Sequence, residues 1–443
     1  MILFNQIFQF VLCISFLVIL HELGHFIPAK LFKTKVEKFY LFFDPWFSLV
    51  KKKIGETEYG IGWLPFGGYV KIAGMVDESM DTEQLKKPAQ PWEFRAKPAW
   101  QRLIIMLGGV TVNFFLAWLI YSGLSFFNGE TYHDNAKFEN GIYATSAAQK
   151  MGLKTGDKII AIDGQPAERM ENTLINLLFA NQATVIRDGK EVTFPIQEDG
   201  VAEVIKSNEA NIYFSPRYTP VVDEVLPKSE AQAAGLQKGD NIIAVNQHKI
   251  NAVDEFISIL SQNKNQNITI DITRNGTPMS LNAHVNAEGK LGFSFSPQNL
   301  IKALDESLVT KHYSFLQAIP RGFERTINAL VMQVKQFKII FNQKTQGYKK
   351  VSGPIGIIKM MPEQINWEAL LSFTAMFSVW LAFLNLLPIP GLDGGHVMFT
   401  LWEMITGKPV PQKVLENAQM IGVIFLMGLM LLIIGGDIFK LFK

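Results

Sequence analysis

His21-Glu22-Leu23-Gly24-His25 places two imidazoles four residues apart with a carboxylate beside the first. On a helix, residues four apart share a face, so both rings can bind one metal ion. Glu22 then sits beside a water on that metal and can take its proton. A catalytic zinc needs three protein ligands and one open position, so a third ligand must come from elsewhere. The best candidate is Asp393 in Asn385-Leu-Leu-Pro388-Ile-Pro390-Gly391-Leu392-Asp393-Gly394-Gly395-His396. Pro388 and Pro390 interrupt helical structure and make the chain extended before Asp393. Capping of a following helix is the other use for that carboxylate. His396 ranks second as a ligand.

The elements that must position these residues are apolar. Four runs read as membrane spans: Ile2–Leu20, Leu103–Phe127, Ala369–Leu387 and Met420–Gly436. A helix needs ~20 apolar residues to cross a bilayer, so the last run is marginal. The second run carries Asn113, and the third ends around Asn385. Ile2–Leu20 has no basic start and no small-residue cleavage site after it, so it reads as a retained helix. Broken backbone at membrane depth is tolerated where it lines a cavity, which suits the Pro388–Pro390 stretch. The fold class expected is an α-helical multi-pass membrane protein with four transmembrane helices and two β-rich domains inserted between helices 2 and 3.

The loop over residues 26–102 is rich in Lys, including Lys51, Lys52 and Lys53, and Arg95, Lys97 and Arg102 precede the second span. Positive loops stay cytoplasmic. That orientation puts 128–368 outside and 388–417 inside. The C-terminus is then outside, against the charges of Lys440 and Lys443. A net charge of +2 over 443 residues gives no reason to expect nucleic acid as a partner. The only cysteine, Cys13, excludes an internal disulfide and a multi-thiolate metal site.

The outer segment repeats itself. Residues 146–163 and 229–246 share Ser, Ala, Gly-Leu, Gly-Asp and Ile-Ile-Ala at an offset of 83. Each copy reads as a short helix, a Gly-Asp turn and a buried strand. This resembles the PDZ domain, which holds extended peptides in a groove, so peptide ligands are expected partners. The domains then run 1–127, 128–215, 216–300, 301–365 and 366–443. Within 301–365, Phe315, Phe323, Ile327, Leu330, Val331, Val334 and Phe337 recur at helical spacing, with Arg and Lys between them. That pattern fits a helix on the membrane lipid surface or one packed on the β-rich domains.

With its H-E-x-x-H in the first span and N-x-x-P-x-P-x-L-D-G in the third, the chain resembles the site-2 protease family of intramembrane metalloproteases, in the branch with two outer PDZ domains. The resemblance covers essentially the whole chain. It implies zinc held by His21, His25 and Asp393, Glu22 as catalytic base, and Asn385 bonding the substrate or its developing oxyanion. It implies an inner-membrane protease that cuts single-span membrane proteins already trimmed by another protease, anti-sigma factors among them, and remnant signal peptides. Glu58–Val70 reads as two short strands around a Pro/Gly turn and resembles the family's hairpin that dips into the membrane. Tyr59, Ile61 and Tyr69 are its candidate substrate-binding residues. The outer domains are expected to exclude untrimmed substrates, or else to recruit trimmed ones. Two other readings compete: a membrane-anchored PDZ scaffold with a vestigial metal site, and a metal transporter. The intact metal motif argues against the first. The lack of a series of ligands along a path argues against the second.

Overall fold

The structure is a computed structural model that describes residues 1–75, 88–207 and 212–441. Lys443, part of the 26–102 loop and part of 128–215 lie outside the described residues. The chain forms two compact units. One comprises Met1–Gly129, His312–Phe337 and Lys350–Lys443; the other comprises Glu130–Lys311 and Lys338–Lys349.

The first unit is mainly helical: α1 (Ile2–Leu31), α2 (Ala99–Phe127), α3 (Phe315–Phe341, its end belonging to the second unit), α4 (Pro354–Met360), α5 (Trp367–Leu386), α6 (Asp393–Thr406) and α7 (Gln412–Leu441). Among the described residues, α1, α2, α5 and α7 are long and apolar enough to cross a membrane. Each contains one of the four runs or nearly all of it. The marginal run sits inside a helix of 30 residues. Helix α1 does not end with its apolar run but continues through His25 and Pro28 to Leu31, so the two histidines occupy a fully formed helix. Gly24 of α1 meets the backbone of Gly108 and Gly109 of α2, and a side chain at any of the three would collide. Small residues at such a crossing let helix backbones approach closely. Helix α5 starts on an Asn366 cap, whose side-chain oxygen accepts from the Ala369 amide at 3.0 Å. It stops before Pro388, which cannot donate to the helix ladder.

Strands β1 (Val36–Phe43), β2 (Val50–Ile54), β3 (Thr57–Ile61) and β4 (Leu64–Ile72) form one sheet in the order β2-β3-β1-β4. This corrects the expected 58–70 hairpin. β3 and β4 both form, but β1 lies between them, parallel to β3 and antiparallel to β4. Tyr40 gives the physical reason. It is 1% exposed at the centre of β1, stacks on Tyr69 of β4 and donates its hydroxyl to Glu58 of β3 at 2.7 Å. Burying that ring requires a strand on each side of β1. Tyr59 and Ile61 therefore sit on a strand paired on both sides, and the sheet's outer strands are β2 and β4. β2 is exposed along its length and carries Lys51, Lys52 and Lys53. Such charges discourage edge-to-edge association.

The amphipathic stretch forms α3, which is not packed on the β-rich unit over most of its length. Up to Phe337, α3 packs on the helices of its own unit. Phe323 meets Phe114 and Trp118, the Arg325 guanidinium lies over Tyr121, and Phe337 packs on Phe383. Only the part from Lys338 joins the β-rich unit, where Ile339 packs against a hydrophobic core.

The second unit contains the repeat as two copies of one arrangement. In the first, β5 (Lys158–Ile162), β6 (Gln165–Pro166), β7 (Gln182–Arg187) and β8 (Lys190–Pro195) order as β8-β7-β5-β6. In the second, β9 (Asn241–Val245), β10 (His248–Lys249), β11 (Asn267–Arg274) and β12 (Thr277–His284) order as β10-β9-β11-β12, the same topology. The match extends to detail. Asp157 and Asp240 are both fully buried and each takes a two-pronged bond from an arginine, Arg187 or Arg274. The strand irregularity at Ile159/Ala161 recurs at Ile242/Ala244. Each copy has its own hydrophobic core.

Candidate metal centre

Helix α1 delivers His21 and His25 on one face, and α6 begins at Asp393. Both imidazoles are more than nine-tenths buried, and the Asp393 side chain is 17% exposed. The three donor atoms form a nearly equilateral triangle. His21 Nε2 and His25 Nε2 are 3.3 Å apart, and Asp393 Oδ2 lies 3.4 Å from the first and 3.2 Å from the second. The edge of a tetrahedron is about 1.6 times its centre-to-vertex distance, so zinc bonds of ~2.0–2.1 Å call for edges of ~3.3–3.4 Å. The triangle fits that requirement. Asp393 Oδ2 is buried without a hydrogen-bond partner among the described residues, as expected of an oxygen reserved for a metal. This is the one group of three or more metal-ligating side chains found among the described residues.

The ring tautomers agree. His25 Nδ1 lies 2.8 Å from the Ile105 carbonyl oxygen. A carbonyl only accepts, so Nδ1 carries the proton and Nε2 offers its lone pair. His21 Nδ1 lies 3.0 Å from the Asn113 side-chain nitrogen, while Asn113 Oδ1 is buried without a partner among the described residues. Exchanging the amide's oxygen and nitrogen lets Oδ1 accept from Nδ1–H, which leaves Nε2 of His21 free for a metal as well. Gly109, one helical turn before Asn113, leaves room for both imidazoles, because a side chain there would strike them.

Asn385, in the last turn of α5, brings its amide to 3.2 Å from His21 Nε2, so it reaches the same cluster. The Val70 backbone of β4 lies beside the Glu22 carboxylate, which brings the sheet's outer strand to it. Tyr69 lies on that strand, and its hydroxyl donates to Asp44 at 2.8 Å. Burial first, and the bond to Asp44 second, hold this hydroxyl well above the usual tyrosine range, so it stays a donor. Tyr59 and Ile61 are a further strand away, beyond β1. The structure thus brings His21, Glu22, His25, Asn385 and Asp393 together, with β4 alongside.

Gly109 and Asn113 had no expected role, and Val70 was expected only as part of the 58–70 hairpin. An amide in an uncharged span was the one available signal for Asn113. Gly109, four residues before it, shares its helix face.

Comparison with known proteins agrees with this geometry. The family model described as peptidase family M50 matches residues 9–429. The regulator of sigma-E protease RseP of Escherichia coli K12 is 29% identical over 465 residues, covering 98% of each chain. A protein of Neisseria meningitidis serogroup A named as a zinc metalloprotease is 29% identical over 458 residues, again 98% of each. The regulator of sigma E protease of Haemophilus influenzae is 28% identical over 455 residues, with the same coverage. Since the M50 model spans nearly the entire chain, metal triangle included, the chain belongs to peptidase family M50.

Proposed function

We propose that the chain is a zinc metalloprotease of the bacterial inner membrane that cuts transmembrane segments of single-span membrane proteins. The observation that carries this reading is the His21–His25–Asp393 triangle, whose edges suit tetrahedral zinc and whose buried carboxylate oxygen has no hydrogen-bond partner among the described residues. When bound, zinc supplies a Lewis acid that acidifies water and polarises a peptide carbonyl. Glu22 accepts the proton of the attacking water and returns it to the leaving amine. The Asn385 amide donates to the carbonyl oxygen as charge develops there.

A transmembrane helix hides its amides, so it must be unwound before cleavage. Strand β4 has β1 on one side only, and its Val70 backbone lies beside the proposed base. An unwound substrate adding to that edge by main-chain hydrogen bonds would run past Glu22. The expected role of the 58–70 segment is thereby kept but moved to β4 and Tyr69, away from Tyr59 and Ile61. Likeness to the sigma-E regulators points to anti-sigma-type proteins already trimmed by another protease, and to remnant signal peptides, as substrates. The two β-rich copies read as PDZ-like domains on the outer side that exclude untrimmed proteins. The Lys-rich loop supports an active site toward the cytoplasm.

The test is metal analysis and cleavage on the same preparations. One zinc per chain is expected in the wild type, less in Asp393→Ala, and full zinc without cleavage in Glu22→Gln. A scaffold with a vestigial site would hold no zinc and cut nothing. Full cleavage by Glu22→Gln would remove the proposed mechanism.

A further inference from the structure

Helix α7 contributes no metal ligand to the triangle and is lightly packed, with most of its residues exposed. Its contacts concentrate at two places. At its far end, Asp437 accepts from the Gly353 and Gly356 amides at 2.9 and 3.0 Å, and Lys440 donates to the Val351 carbonyl at 2.9 Å. At its near end, buried Gln419 accepts the Gly391 amide through Oε1 at 3.1 Å. One turn on, Gly422 lies directly under the Pro390 carbonyl, and a side chain there would overlap it. Leu426, a further turn on, stands where a side chain at Gly391 would point.

These contacts fall on the tightest part of the turn that sets Asp393. Gly391 has a φ of +97°, a conformation that other residues rarely adopt. Two residues later the chain reaches Asp393, the first residue of α6. Pro390 has no amide to anchor the turn. The turn closes on itself only through the Leu392 amide, which donates to the Ile389 carbonyl at 3.1 Å, so the Gly391 amide between them takes its acceptor from α7. Without it, the Gly391 amide would be buried and unsatisfied, at a cost that favours rearrangement of the turn.

We propose that Gln419 and Gly422 of α7 are positioning residues for the metal site. They clamp the Pro390–Gly391 turn and so fix the Asp393 carboxylate against the two histidines. The inference rests on the reading of His21, His25 and Asp393 as zinc ligands. Helix α7, tied down at both ends, acts as a brace for a ligand that it does not itself provide.

The experiment measures zinc release to a chelator from the detergent-solubilised full chain, with thermal unfolding recorded in parallel. Gln419→Leu removes the acceptor and is expected to release zinc about 10–100-fold faster, the usual scale for residues that orient ligands. Gln419→Glu keeps an oxygen acceptor and should release it at the wild-type rate. Gly422→Ala should behave like Gln419→Leu. Gly428→Ala, where a side chain meets nothing, should match the wild type. If Gly422→Ala does not fold, the Gln419 pair decides. Wild-type release from Gln419→Leu overturns the clamp, and so does equally fast release from Gln419→Glu and Gln419→Leu. Asp393→Ala separates the two levels. If it holds zinc as tightly as the wild type, the ligand assignment fails and the clamp with it. If it loses zinc while Gln419→Leu does not, only the clamp fails.

Discussion

The Asn113 side-chain amide lies 3.0 Å from Nδ1 of His21, across a gap of 92 residues in sequence, and Asn113 is fully buried. An amide oxygen at that position selects the tautomer that turns Nε2 toward the metal. Asn113→Leu should therefore weaken zinc binding by about 10–100-fold. Asn113→Asp keeps an acceptor and should restore much of it. Chelator competition on purified variants measures both. Equal zinc affinity in wild type and Asn113→Leu would show that His21 needs no help from α2.

Glu22 is placed to handle protons and is absent from the metal triangle. Glu22→Gln should lower the cleavage rate by about 10²–10⁴-fold while zinc content stays at the wild-type level, as expected for loss of a general base. Removing zinc from the wild type with a chelator should abolish cleavage, and adding zinc back should restore it. Zinc lost from Glu22→Gln would make Glu22 a ligand instead.

The Gly24–Gly108 crossing holds the histidine-bearing helix against α2. Gly108→Val would overpack it, at about 1–3 kcal/mol by the usual cost of inserted bulk. Gly123→Val, on the same helix but with open space around it, is the control. Thermal unfolding in detergent compares them. If both variants unfold at the same temperature, the close crossing contributes little.

Strand β4 is the proposed docking edge. With Glu22→Gln to trap the substrate, a cysteine at Lys71 in β4 should form disulfide crosslinks with cysteines in the substrate's unwound stretch. A cysteine at Lys52 in β2 should give fewer, by at least several-fold. Preferential crosslinking through β2 would transfer the docking role to the opposite edge.

The same Lys52 variant reports topology. Lys52 is exposed, and Cys13, the sole native cysteine, is 2% exposed, so background labelling is low. An impermeant thiol reagent should label Lys52→Cys only when it has access to the cytoplasmic face. Labelling from the outer face would reverse the proposed orientation.

What could be read from the residues alone was local in character. Two histidines four apart share a helix face wherever that helix sits, because 3.6 residues make a turn. Pro388 and Pro390 stop a helix through the chemistry of their own rings. The offset between the two β-rich copies is carried by the residues themselves, and the structure repeats even their buried Asp–Arg pairs. The rest depended on partners far apart in the chain, which packing alone brings together. Strand order turned on which neighbours bury Tyr40, a choice that alternation along β3 and β4 does not encode, so a hairpin reading gave way to a sheet with β1 in the middle. The amphipathic stripe of α3 specified an apolar face but not what covers it. Asn113 is, in sequence, a polar residue in an apolar span, and Gln419 one that directly precedes another. They acquire meaning once packing brings one to His21 and the other to Gly391, since a hydrogen bond needs its partner within about 3 Å and sequence spacing does not supply that distance.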